Sequence, residues 1–334
     1  MTLLGSDGPL HTAHDVALVD LDGVAYKGPS AIPTAPPALA AARASGMRLV
    51  FVTNNASREP SEVAAHLTEL GIPASGDEIL TAAQAGAAML SEHVPAGSSV
   101  LVIGGKGLRT AVTERGYEVV DSALGHPAAV IQGYAADIGW KQLAEAAYAI
   151  NAGARYFATN LDLTLPTERG MAPGNGSLVA AVVTATGVTP PAAGKPEPGM
   201  FLLAANRANA QRPLVIGDRL DTDLKGARAA GIPGLLVLTG VSDVREALMA
   251  LPEHRPSYIG ADLRSLADTH PAPREDGDWW HVGEARAHVI EGRLLVDGGS
   301  PIDRVRAACC AAWAAADRGE KLLVETLPHL GVAS

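Results

Sequence analysis

Three observations predict an α/β fold with a doubly wound, mostly parallel core sheet, an inserted α/β domain and a small C-terminal ββα extension. Short Val/Ile/Leu runs alternate with Ala-rich stretches of helical length almost from end to end of the 334 residues. Most of those runs are apolar on consecutive residues, as a parallel strand covered on both faces requires. Polar residues also gather just past three of the runs, where open parallel sheets hold their ligands.

In chain order, the expected strands are Val16–Asp20, Arg48–Thr53, Ser99–Gly104, Ala128–Gly133, Ala154–Thr159, Pro213–Gly217 and Gly234–Thr239. Between them the Ala-rich stretches Ala35–Ser45, Ser61–Leu70, Ala82–His93, Trp140–Ala152 and Pro198–Asn209 have helical composition and length. Turn-forming residues over Thr186–Gly194 predict a return of the chain from one domain to another. Thr269–Gly277, with two prolines, four ionisable residues and little to bury, predicts a linker. Beyond it the pattern reads as a strand over Trp279–Ala285, then Ala287–Ile290 running into Leu294–Val296. A helix follows from Pro301 to about Arg318, opened by a proline that fits the first turn.

Hydrophobic residues make up 47% and charged residues 19%, which is globular composition. Lys and Arg total 26 against 36 Asp and Glu, a net charge of -10, so the footprint of a nucleic-acid binder is missing. The longest wholly apolar run, Ala307–Ala316, is about half of the ~20 residues that cross a bilayer. That length excludes membrane insertion by a helix of this run. No basic, then apolar, then small-residue pattern opens the chain. The only two cysteines, Cys309 and Cys310, are adjacent and fit a reducing compartment. A cytoplasmic protein is expected.

The chemistry concentrates after the strands. Asp20-Leu21-Asp22-Gly23-Val24 follows the first, and its two carboxylates start on one face while Leu21 points back to the core. Acids this close repel, which a divalent cation relieves. With a phosphate present, Asp20 can attack phosphorus while Asp22 protonates the leaving oxygen and later activates water. Thr53-Asn54-Asn55 offers a hydroxyl and amides expected just before a helix, a natural phosphate seat. Gly194-Lys195-Pro196 supplies a point charge for phosphate. Asp218 and Asp223, after Pro213–Gly217, complete a hard oxygen set suited to Mg²⁺. Asp221 between them reads equally well as a surface charge or a cap.

Taken in order, these four groups resemble the motifs of the haloacid dehalogenase-like phosphatases. The Thr-Asn-Asn form, and the long α/β stretch between the second and third motifs, resemble the class IIA, p-nitrophenyl phosphatase-like branch. The resemblance covers roughly residues 10 to 265 and extends to Ala158-Thr-Asn160-x-Asp162, Pro173-Gly174-x-Gly176-Ser177 and Leu238-Thr-Gly240-Val241. The runs Leu165–Gly170 and Arg219–Asp223 and the appended unit resemble the bacterial glycerol 3-phosphate phosphatases of that branch.

The resemblance implies a phosphomonoesterase with Asp20 as nucleophile and Asp22 as general acid and base. Mg²⁺ would be held by Asp20, the Asp22 carbonyl, Asp218 and Asp223, and Thr53, Asn54, Asn55 and Lys195 would bind the phosphoryl group. It implies a core over 1–79 and 186–268, a cap over 80–185 and an extension over 269–334. Asn160, Asp162 and Arg169 are the cap residues expected to read a small phosphate ester, glycerol 3-phosphate foremost. Phosphoglycolate, sugar phosphates and pyridoxal phosphate are the alternatives, as are phosphotransfer to a sugar and a sensor without turnover. Ala25, between Val24 and Tyr26, departs from the common branch pattern and bears on substrate fit.

Other signals carry less. Gly104-Gly-Lys-Gly107 lacks the spacing of a nucleotide-binding loop. Gly174-Asn-Gly-Ser177 is not a nucleophile elbow. His11 and His14 fall in an N-terminus expected to be loose and solvated. Trp279 and Trp280 are expected to form the core of the extension, with Cys309 and Cys310 on the inner face of its helix. The extension can brace the core, form a homodimer contact or bind a regulator, and its residues do not choose among these.

Overall fold

The computed structural model describes residues 2–167, 169–328 and 330–331. Glu168 of the Leu165–Gly170 run, and the last residues of the extension, lie outside the described residues. The chain forms two compact units: Met1–Val50, Leu70–Ile72 and Ala205–Ser334 in the first, Phe51–Glu69 and Pro73–Ala204 in the second.

In the first unit a parallel sheet runs in the order Tyr258–Gly260, Gly234–Val237, Pro213–Gly217, Val16–Val19 and then the opening residues of Arg48–Thr53. Val16–Val19 and Gly234–Val237 are buried at every position, which explains their unbroken apolar runs. Val16 pairs with Pro213 and Val19 with Ile216, so Asp20 and Gly217 leave the sheet at one level.

The N-terminal segment is not loose, contrary to expectation. Leu3 and Leu10 are buried, Leu4 N–H donates to Ser257 O at 2.8 Å, and Ser6 N–H donates to His270 O at 2.9 Å. His14 is buried as well, its Nδ1 3.2 Å from Arg212 O. Two anchoring leucines and backbone pairing tie down a stretch whose Gly, Ser and Asp content reads as a free end.

The extension also differs from its sequence reading. Its sheet has four antiparallel strands in the order Arg274–Asp276, Trp279–Val282, Ala285–Ile290 and Arg293–Asp297. Part of the expected linker is therefore a strand, one whose residues are all exposed. The stretch read as one strand into Val296 is broken by Glu291 and Gly292, both at positive φ, the backbone of a two-residue hairpin turn. The helix Pro301–Asp317 follows, Ser300 Oγ accepting the Asp303 N–H at 3.2 Å as its cap. Trp279 and Trp280 are only half-buried, Trp279 lying under the Arg286 guanidinium at 4.6 Å. The core is filled instead by Trp313, Cys309, Cys310 and the small residues around them, together with Leu236, Leu248 and Ile259 of the parallel-sheet region.

In the second unit Phe51–Thr53 pairs in parallel with Ile79–Thr81. A separate parallel sheet runs in the order Glu118–Val120, Ser99–Ile103, Ala129–Gln132 and Arg155–Ala158. Helices Trp140–Asn151 and Asn175–Thr186 cover one face around Leu101, Val130 and Tyr156. Helix Ala82–His93, capped by Thr81 and Gln84, lies over Ile131 on the other. Thr164–Thr167 and Gly170–Pro173 form a short hairpin. Among the described residues no helix is long and apolar enough to cross a membrane.

Candidate active site

Val16–Val19 ends on Asp20, which is buried, while Leu21 turns into the core and Asp22 is exposed. The chain reverses there: Gly23 N–H donates to Tyr26 O at 2.8 Å and Ala25 N–H to Leu21 O at 2.8 Å. Gly23 has φ +81°, and a Cβ on it would overlap the Asp218 carboxylate. Gly240 presses on the same carboxylate, and Gly217 on Asp223, again too closely for a Cβ.

Asp218 Oδ2 accepts the Val241 N–H at 2.6 Å, and its carbonyl accepts the Ser242 N–H at 3.0 Å. Leu220–Leu224 then makes a single wide turn, with Leu224 N–H reaching five residues back to Arg219 O at 3.1 Å. Such π turns are rare and concentrate at functional sites. This one returns Asp223 to the sheet end, where its Oδ2 accepts the Arg219 N–H at 3.2 Å.

One carboxylate oxygen from each of Asp20, Asp218 and Asp223 lies within 4.8 Å of the other two, and all three residues are buried. Three buried acids at such a spacing are compatible only if a cation is shared or protons are taken up. The all-oxygen donor set fits a hard divalent ion, and the glycine cradle holds it in shape. Asp22 offers no side-chain oxygen to this cluster. Asp221 stays on the surface, bound by Arg219 Nε at 3.1 Å and a terminal nitrogen at 2.9 Å, which holds its carboxyl below the usual range even against burial.

In the second unit, Thr53 is buried at the end of its strand, and its Oγ1 accepts the Asn55 N–H at 3.1 Å. Asn55 Oδ1 in turn accepts the Ser57 N–H at 2.8 Å. The helix expected over Ser61–Leu70 runs Pro60–Glu69 and so begins five residues after Asn55; side-chain turns rather than a helix end shape this loop.

Lys195 is 5% exposed, its Nζ 3.5 Å from Val52 O, and the Lys195–Pro196 peptide is cis. The side chain of Asn54 grips its backbone from both ends: Oδ1 accepts the Lys195 N–H at 2.9 Å, and Nδ2 donates to Lys195 O at 3.1 Å. Asn54 Nδ2 also meets the Asp162 carboxylate at 3.1 Å, and Asn160 Nδ2 donates to Asn54 O at 2.8 Å. Two of the three expected substrate readers thus act on Asn54. Arg169 is exposed on the hairpin turn, where its N–H donates to Thr167 Oγ1 at 3.3 Å.

The Gly104–Gly107 run has a structural part to play. Gly107 N–H donates to Ser57 O at 3.1 Å, and a Cβ on Gly107 would overlap Arg58 O. Glu59 closes the joint, accepting from Lys106 Nζ at 2.7 Å and Thr110 Oγ1 at 2.8 Å. Those bonds pull the Glu59 carboxyl below its ordinary range and push the Lys106 ammonium up. The loop after Thr53 is the partner of these glycines.

Family models described as haloacid dehalogenase-like hydrolase match residues 17–118 and, as the HAD-like hydrolase model, residues 192–266. The D-glycerol 3-phosphate phosphatase of Mycobacterium tuberculosis is 44% identical over 310 residues, 90% of this chain and 86% of that protein. A crystal structure of glycerol phosphate phosphatase from M. tuberculosis in complex with magnesium superposes with a TM-score of 0.86 at 44% identity, covering 92% of each chain. A thermostable NPPase from Geobacillus stearothermophilus, a double mutant, superposes at 0.69 and 33% identity. It covers 75% of this chain and 97% of its own.

Proposed function

Because the chain belongs to the haloacid dehalogenase-like hydrolases, a phosphatase among them, we propose that its substrate is glycerol 3-phosphate and that it works through an aspartyl-phosphate. Asp20, Asp218 and Asp223, with the Asp22 carbonyl, are the residues that hold the required ion, and Mg²⁺ is the ion we assign to them. The observation that carries this reading is the buried convergence of those three carboxylates directly after two paired parallel strands. When bound, Mg²⁺ neutralises charge on the acids and on the phosphate oxygens.

The chain's own residues then account for the chemistry. A carboxylate oxygen of Asp20 attacks phosphorus, and the bond from phosphorus to the glycerol oxygen breaks. Asp22, exposed beside the site, gives that oxygen its proton. In the second half Asp22 takes a proton from water as the water oxygen attacks the acyl phosphate, releasing phosphate and restoring Asp20. Phosphoryl transfer asks mainly for positioning and charge neutralisation. We assign these to the Thr53 hydroxyl, the backbone N–H groups of Asn54 and Asn55 and the Lys195 ammonium. Residues 80–185 act as the cap, and Arg169 is the cap residue assigned to the polyol end of the ester. The 44% identity to a D-glycerol 3-phosphate phosphatase supports the choice of substrate.

Asp20→Asn tests the chemistry. The amide is a poor nucleophile, so phosphate release falls at least about a thousandfold while the fold is kept. A variant with near wild-type turnover removes Asp20 from its role. Comparing kcat/KM for glycerol 3-phosphate, phosphoglycolate, a hexose phosphate and pyridoxal phosphate tests the substrate. Tight binding of all four without phosphate release would point to a sensor.

A further inference from the structure

Asn175 lies behind the phosphoryl-handling residues, and a line of side-chain amides leads from it to Lys195. Asn175 Nδ2 donates to Asn160 O at 2.7 Å and, more weakly, to Gln132 O at 3.4 Å. Asn160 Nδ2 donates to Asn54 O, and Asn54 grips Lys195 through both of its backbone polar groups. Asn160 Oδ1 also accepts the Asp162 N–H at 3.2 Å, and Asp162 returns to Asn54. Asn175 and Asn160 are buried at 2% and 4% exposure.

The local sequence is built to bring Asn175 this close. Gly174 and Gly176 flank it, and a Cβ on either would overlap a carbonyl of the 161–162 loop. Gly176 N–H donates to Asp162 O at 2.9 Å. The start of helix Asn175–Thr186 is thereby pressed onto the loop that carries Asn160 and Asp162. Asn175 Oδ1 has no hydrogen-bond partner among the described residues, so the amide is held there by its donor end alone.

We propose that Asn175, through Asn160 and Asn54, is a positioning residue that fixes Lys195 and the adjoining phosphate-binding loop for phosphoryl transfer. This rests on the phosphatase reading above. Each link donates to a carbonyl or clamps a backbone, so the line sets main-chain position, the quantity to which oriented transfer is most sensitive. Asn175 acts through these links, its Nδ2 meeting only protein carbonyls among the described residues.

The experiment uses the full chain with Mg²⁺ and p-nitrophenyl phosphate, an activated ester that keeps slow variants measurable. Asn175→Ala lowers kcat about ten- to a hundredfold, moves KM less than about threefold, and weakens inhibition by orthovanadate in step with kcat. Val179→Ala, buried in the same helix, controls for lost stability and keeps kcat within about twofold. Introduced into Lys195→Ala, Asn175→Ala brings a clearly smaller loss than in the parent chain, because part of what it supports is already gone. Independent, multiplying losses overturn the proposal, as does an Asn175→Ala loss no larger than that of Val179→Ala. Should the alanine variant not fold, Asn175→Ser is held to the same two criteria. If Lys195→Ala keeps the wild-type rate, the role given to Lys195 fails, and that of Asn175 falls with it.

Discussion

Asp218 owes its position to two residues that have no side chain. Gly23 and Gly240 both close on its carboxylate, and Val241 N–H holds Oδ2 at 2.6 Å. Gly240→Ala puts a methyl where the carboxylate lies, so the acid must rotate and give up that bond. Mg²⁺ affinity, read as the concentration giving half-maximal activity, is expected to weaken at least about tenfold, the cost of one hydrogen bond to a charged group. An unchanged Mg²⁺ requirement would show that Asp218 is not held by this cradle. Most of the acid cluster was legible in the sequence, because Asp-x-Asp-Gly and Gly-Asp-x4-Asp place their partners on short local stretches after apolar strands. The clamp on Lys195 was not. Asn54 meets Asp162 across 108 residues and Lys195 across 141, and nothing local distinguishes an amide gripping a distant backbone from one capping its own turn.

Among elements, the consecutive apolar strands were legible because burial on both faces leaves one unbroken signal. Arg274–Asp276 was not: an exposed edge strand of three charged residues shows no alternation to read. The N-terminal segment was obscured in the same way, and its packing has a consequence for acid stability. His14 and His270 both meet Tyr258 in T-shaped contacts, with centroids 6.0 and 5.2 Å away, and His270 Nε2 lies 3.0 Å from Ser265 O. Burial, reinforced by the Arg306 charge and opposed by the Ser265 carbonyl and Asp303, pushes the His270 imidazole down to about 4. Burial lowers His14 as well. The unfolded chain therefore takes up a proton near pH 6.5 that the folded chain refuses until about pH 4, and stability is lost as pH falls through that window. For His270 the full loss is on the order of 3 kcal/mol. Urea midpoints at pH 7 and pH 4.5 should draw together in His270→Gln relative to the parent chain. An equal acid loss in both would clear His270 of this role.

At the scale of the whole molecule, the extension is not a free-standing appendage. Helix Pro301–Asp317 is buried from Val305 to Ala315 at all but one position, and its neighbours include Ala247, Leu248 and Ile259 from outside the extension. Arg255, 2% exposed, forks onto Asp317 at 2.7 and 2.8 Å, while Trp313 Nε1 donates to Ala247 O at 2.9 Å and Arg306 Nε to Ile259 O at 2.8 Å. A helix apolar all round is a helix covered all round. The run Ala307–Ala316 carried that message, although the sequence could not say which surface would cover it. Cys309 and Cys310 lie inside this joint, fully enclosed, and burial raises both thiols, Cys309 well above its ordinary value, away from the reactive anion. Iodoacetamide should leave the native protein unmarked and add two carbamidomethyl groups together in the urea range where phosphatase activity disappears. Alkylation that runs ahead of inactivation would mean that the joint opens by itself. The adjacent pair is thus a tamper seal supplied by the chain, and a mass spectrum can report when it has been broken.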